Sequence, residues 1–217
     1  MAEFVVHTVP GSPFARSVLM ALEEKGAPYR VTAVMPGTLQ APEHLVRHPF
    51  GRIPVLEHGD FSLYETQAIL RYVDRVVTPG SLTPSDPRAA GRMDQIMNVN
   101  DWYLFQGVAN IIAFQRVVGP RLMGLQPDLQ AIETAMPRAR AVFAELARLL
   151  GDQAFFAGDA LTLADLLLFP QLDFMQAAPE WATLAGPHAV LDAWMDRMAA
   201  RPSAAATTWE KVAAMAK

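Results

Sequence analysis

The sequence predicts an α/β domain followed by an all-helical domain, with the α/β part built as βαβ and then ββα. Three observations carry this. Two short apolar runs, Phe4 to Thr8 and Tyr29 to Val34, flank a helical stretch that opens on Ser12-Pro13. His48 to Thr66 reads as loop, strand, tight turn, strand and helix start. Thr78 to Pro87 then holds Pro79, Gly80, Pro84 and Pro87, after which every periodic segment is helical. The expected boundaries are a first domain over 1–78, a linker over 79–85 and a helical domain over 86–217.

Each element has a local reason. Val9-Pro10-Gly11 breaks the first strand, and Ser12 is a favoured N-cap with Pro13 at the first helical position. Val18, Leu19 and Leu22 form the apolar face of that helix, and Lys25-Gly26 stops it. A helix between two strands makes them a parallel pair. Met35 to Arg47 is irregular, with one helical turn expected at Glu43 to Val46. Ile53-Pro54 opens the third strand, where a proline is tolerated because it has no N–H to give to a ladder. His58-Gly59-Asp60 turns the chain into Phe61 to Tyr64. From Glu65 to Asp74, Ala68, Ile69, Tyr72 and Val73 share one helical face.

Beyond the linker, Asp86-Pro87 caps and starts a long helix expected from Arg88 to about Val118. Leu129 to Leu150 is a second, which Pro137 should kink or split. Thr162 and Asp165 form a capping box, with Leu161 and Leu166 placed for a hydrophobic staple, ahead of a helix apolar on nearly every side. Ala189 to Ala200 carries Leu191, Trp194, Met195 and Met198 on one face, and Arg201-Pro202 ends it. The tail contains Trp209 and is expected to fold over the domain interface.

Composition excludes several classes of function. The chain has 217 residues, 52% hydrophobic and 18% charged, with net charge −4. That is a core-forming protein, and without a basic block it has no electrostatic footprint for nucleic acid. There is no cysteine, so disulfides and a protein thiol nucleophile are excluded. Met1-Ala2-Glu3 runs straight into Phe4-Val5-Val6, unlike a signal peptide, and no stretch approaches the ~18 apolar residues of a membrane span. A soluble, cytoplasmic protein is expected.

Two helix starts offer ligand chemistry. Free N–H groups and the dipole at the start of a helix favour an anion. At Glu65-Thr66 the hydroxyl adds a donor and the carboxylate can pair an ammonium, which suits a small zwitterion. If Ile53-Pro54 is cis, the Ile53 backbone faces a ligand's peptide groups. Read alone, Glu65 is ordinary first-turn chemistry and Ser12 an ordinary cap. His44 and His48, four apart, have helical metal-ligand spacing, but no third ligand lies between them and His48 precedes a proline. They are expected to be exposed, with no metal.

The run from His48 to Thr66 resembles the glutathione site of the soluble glutathione transferases, with Thr66 in place of that family's serine. Ser12-Pro13-Phe14-Ala15-Arg16 is similar to the serine-type theta and phi classes and to the omega class, whose cysteine is absent here. The Thr162 to Asp165 box matches as well. The resemblance implies a thioredoxin-like first domain, a homodimer, and glutathione as co-substrate attacking small apolar electrophiles. Ser12 would donate to the thiolate. Gln40, Arg52, Ile53, Pro54, Glu65 and Thr66 would bind glutathione, Asp101 would reach a partner subunit's glutathione, and Phe14, Asn110 and Phe114 would line the electrophile pocket. Isomerisation, peroxide reduction, dehalogenation and non-catalytic binding stand as alternatives.

Overall fold

The computed structural model describes residues 3–35, 37–78 and 80–216. The chain forms two compact units, Met1–Leu82 together with Ala200–Lys217, and Thr83–Ala199. The last eighteen residues, expected in the helical domain, therefore cluster with the α/β part; residues on that segment grip its first helix, as set out below.

In the first unit, β1 (Phe4–Thr8), α1 (Pro13–Glu24) and β2 (Tyr29–Ala33) form the expected βαβ. A short helix α2 (Pro42–Leu45) precedes β3 (Val55–His58), β4 (Phe61–Tyr64) and α3 (Thr66–Val76). The sheet order is β2-β1-β3-β4. β1 runs parallel to β2, with Val6 beside Val31, and antiparallel to β3, with Val6 beside Leu56. β3 pairs antiparallel with β4 through the Gly59 turn. This mixed sheet is the expected thioredoxin-like arrangement. β1 is buried along its whole length, so both faces of the sheet's centre are covered. Val18, Leu19 and Leu22 of α1, Val55 and Leu56 of β3, and Ile69, Leu70 and Val73 of α3 complete a core with no more than 1% exposure.

Beyond α1, the Lys25 ammonium lies 3.2 Å from the Asp74 carboxylate, and both side chains are 3% exposed. Lys25 also donates to the Gly80 carbonyl, and Asp74 accepts the Leu82 N–H at 2.7 Å. A buried pair is tolerable only when its remaining hydrogen-bonding capacity is filled. Here it is filled from the ends of α1 and α3 and the start of the linker.

The second unit is helical. Asp86 accepts the Ala89 N–H at 2.8 Å and caps α4 (Pro87–Val99). The single long helix expected as far as Val118 is interrupted. Widened π-type turns follow over Asn100–Ala109, with Gln106 and Gly107 out of helical geometry (Gly107 φ 85°). Then come α5 (Asn110–Ala113), a π-type stretch Phe114–Val118, and α6 (Gly119–Met123). Only glycine adopts that positive φ without strain. The break is held from outside: Arg138 donates to the Trp102 carbonyl at 2.9 Å, and its guanidinium lies over Gly107.

Arg138 belongs to α7 (Leu129–Leu150), which stays one 22-residue helix with Pro137 inside and is not split. α8 (Leu163–Gln176) is buried nearly all round. Short α9 (Trp181–Leu184) and then α10 (Ala189–Ala199) follow. Trp194 of α10 has no exposure and meets Phe156 and Phe169 edge-on. Asp165 accepts hydrogen bonds from the Phe156 N–H, the Thr162 N–H and hydroxyl, and the Trp194 indole, each 2.9 Å long. The expected box is thus also the hydrogen-bonded centre of this unit. Two short helices end the chain, α11 (Pro202–Ala206) and α12 (Trp209–Met215).

Candidate active site

Ser12 has extended backbone geometry and caps α1, its hydroxyl oxygen accepting the Ala15 N–H at 3.2 Å. The cap uses a lone pair and leaves the O–H able to donate outward. Nothing acidic sits in the first turn of α1 to oppose an anion there. Ser12 and Phe14 are both half-buried.

The second helix start is built by the β4–α3 junction. Glu65 holds φ 70° and ψ 114°, and among the described residues it alone has positive φ without being glycine. Such a conformation is strained for a side chain with a Cβ and marks a position that the surroundings over-determine. It leaves Glu65 exposed at the N-cap position of α3, with Thr66 buried behind it as the first helical residue. The Ile53-Pro54 bond is cis; Pro54 is buried and Ile53 half-buried just ahead of β3.

Gln40 and Arg52 are exposed on the loop between β2 and β3. The Gln40 side chain lies across Gly51, whose φ of 59° and crowded Cα position both exclude a side chain. Ser12 and the six residues expected to bind glutathione lie in the first unit, and Asp101 lies in the second.

The two histidines depart from expectation. His44 is 5% and His48 2% exposed. His44 Nε2 meets the Arg52 carbonyl at 2.7 Å, which requires the proton on that nitrogen. His48 Nδ1 accepts the Phe50 N–H at 3.3 Å, and its ring lies 4.6 Å from that of Tyr64. Together they tie the loop carrying Arg52 and Ile53 to the strand end carrying Glu65. Burial pulls the His48 pKa below its ordinary value; the Glu65 charge opposes this, while His44 and Arg52 add to it. Their sequence signal was spacing alone, and the irregular segment gave no periodicity from which to infer burial. Among the described residues no group of three or more His, Cys, Asp or Glu could hold a metal ion.

The remaining expected residues have other partners. Asn110 is exposed, and its amide oxygen accepts the Gly107 N–H at 2.7 Å, bracing the helix break. Phe114 is half-buried at the start of the second π-type stretch. Asp101 accepts the Asn100 amide at 2.9 Å. Arg16 donates to the Ala204 carbonyl at 3.3 Å.

The family model of the glutathione S-transferase N-terminal domain matches residues 2–75, and that of the C-terminal domain matches residues 108–202. Glutathione S-transferase 4 of Zea mays is 34% identical over 202 residues, covering 89% of this chain and 86% of that protein. The chain belongs to the glutathione S-transferase family. Glutathione transferase F2 from Populus trichocarpa shares its fold with a TM-score of 0.83 at 26% identity, covering 98% of both chains. Glutathione S-transferase I from maize, solved in complex with an atrazine glutathione conjugate, gives a TM-score of 0.82 at 29% identity over 99% of this chain and 98% of that one. In this chain Ser12 lies between β1 and α1, Ile53-Pro54 just ahead of β3, and Glu65-Thr66 at the β4–α3 junction. Among the described residues no helix is long and apolar enough to cross a membrane.

Proposed function

We propose that the protein is a cytoplasmic, homodimeric glutathione transferase in which Ser12 and the N-terminus of α1 stabilise the glutathione thiolate for attack on a small apolar electrophile. The observation that carries this is the Ser12 hydroxyl, which caps α1 through its lone pair at 3.2 Å and keeps its O–H for a ligand. Arg52 would take the glycyl carboxylate. Glu65 and the Thr66 end of α3 would take the ammonium and carboxylate of the γ-glutamyl group, with Gln40 and Ile53-Pro54 along the backbone between. The chain has no cysteine, so the reacting sulfur is glutathione's own. Val46 and Phe50 of the first unit are 88% and 67% exposed, which supports pairing with a second copy.

The chemistry is differential stabilisation of a charge. A free thiol has a pKa of ~8.5, and holding it near ~6.5 requires about 2.7 kcal/mol in favour of the thiolate. A hydroxyl donated to an anion supplies roughly 1.5 to 3 kcal/mol, and the dipole of α1 adds to it. The thiolate pair forms the new C–S bond, and the leaving group departs with its own bonding pair or an acceptor double bond takes up a proton. Ser12 keeps its proton throughout and acts as a donor, not as a nucleophile.

Ser12→Ala tests this. The pKa of the bound thiol, followed by thiolate absorbance, should rise by about one to two units. KM for glutathione should stay within about threefold, because the peptide contacts remain. Loss of the cap should lower stability by only about 1 kcal/mol. An unchanged thiol pKa would remove Ser12 from the mechanism.

A further inference from the structure

The C-terminal segment grips α1 at three places. Glu24, in the last turn of α1, accepts hydrogen bonds from Arg201 Nε and Nη2 at 2.7 Å and from the Ser203 hydroxyl at 2.5 Å. In the first turn, Arg16 donates to the Ala204 carbonyl. Ahead of the helix, the Trp209 indole lies on Gly11: a Cβ placed there would come within 2.6 Å of three atoms of its ring. Gly11 has φ 91° and immediately precedes Ser12. Ser203, Ala204, Thr207 and Val212 are no more than 4% exposed, so one side of this segment is packed.

A cap geometry is only as fixed as the turn leading into it. Gly11 has no side chain with which to pack, and glycine is the residue with the widest choice of φ and ψ. A flat indole against its Cα removes that freedom and covers one flank of the turn from water. We propose that Trp209 is a positioning residue for the thiolate site, holding the Gly11 turn so that the Ser12 hydroxyl and the first N–H groups of α1 converge on the glutathione sulfur. This rests on the role proposed for Ser12. Trp209 acts through the turn and touches no reacting atom. Its effect belongs to the sulfur end of the site, since Arg52, Glu65 and Thr66 stand on other elements.

The test uses the full chain and three variants, Trp209→Ala, Trp209→Leu and Trp209→Phe, with glutathione itself as the probe. The expected result for Trp209→Ala is a rise of about one unit in the pKa of the bound thiol, a roughly tenfold loss of thiolate below that pKa. The pH profile of kcat with an aryl halide should move upward in parallel, while KM for glutathione changes by less than about twofold. Trp209→Phe keeps a flat ring on Gly11 and should restore most of the shift. Trp209→Leu fills volume without a flat face and should not; it carries the test if the alanine variant fails to fold. Equal thiol pKa values in the wild type and the folded variants would overturn the proposal. Ser12→Ala in the same series separates the two ideas. If it moves the thiol pKa and no Trp209 variant does, only the positioning role fails. If it moves nothing, the thiolate reading fails with it.

Discussion

His48 puts one ring between two pieces of the site: Nδ1 holds the Phe50 N–H, and the ring face meets Tyr64, next to Glu65. Its folded-state pKa lies below the ordinary 6.5 because of burial. Between that lowered value and 6.5 the unfolded chain binds a proton that the folded chain refuses, so stability is complete above 6.5 and declines as pH falls through the window. His48→Asn keeps an acceptor for Phe50 and cannot titrate. Urea midpoints across this range should slope in the wild type and be flatter in the variant; equal slopes would rule the residue out as the cause. At this scale the sequence was informative where chemistry is local. Ser12-Pro13 announces a cap, Pro54 a strand mouth and Glu65-Thr66 a helix start. It was silent on the burial of His44 and His48, because the aromatic neighbours that bury His48 come from Phe50 and Tyr64, on either side of β3.

Among the elements, α8 carries one side chain that ties it to its surroundings by hydrogen bonds. Asp165 accepts four hydrogen bonds, one each from Phe156 and Trp194 and two from Thr162. Burial raises its pKa, and these donors pull it back. Asp165→Ala would strand the Phe156, Thr162 and Trp194 N–H groups in the core. At roughly 1 to 3 kcal/mol for each unmet donor, chemical unfolding should show a loss of about 3 kcal/mol or more. A loss near 1 kcal/mol would mean that water or repacking replaces the carboxylate. The box was legible because its partners sit three residues apart; its link to Trp194, across to α10, was not. The break at Gly107 was hidden for a related reason. A lone glycine in a helical run weakens it by about 1 kcal/mol, and the break is braced by Asn110 and by Arg138, the latter supplied by a different helix.

For the whole molecule, acid sensitivity should come from carboxylates in both units. Burial raises the pKa of Glu24, but the Arg201 and Ser203 bonds outweigh it and leave the net value lowered. Glu180 is likewise lowered on balance by Arg116 against its burial. Glu57 is lowered chiefly by its bond to His7, 3.0 Å away. Each contributes stability that is full above the unfolded value of 4.5 and is lost as pH falls through the lower folded values. Melting temperature should therefore drop steeply below pH 4.5, and the double variant Arg116→Met, Arg201→Met should flatten that limb. An unchanged limb would assign the acid transition to other groups. Two units were legible from the cluster of prolines and glycine after Thr78. A folding-back of the tail was expected from Trp209, but its partners were not legible, because nothing local to Arg201 or Trp209 names Glu24 or Gly11.

That return has a consequence for how the protein is made. The first unit is discontinuous, and its closing piece is synthesised only after the whole of the second unit. A chain emerging from the ribosome would display β1, the Gly11 turn and α1 long before Trp209, Ser203 and Arg201 existed to meet them. Cotranslational folding can complete the sheet early, yet the turn bearing Ser12 must wait until the second unit has been made. A cut between α10 and α11 thus bears directly on the turn before Ser12.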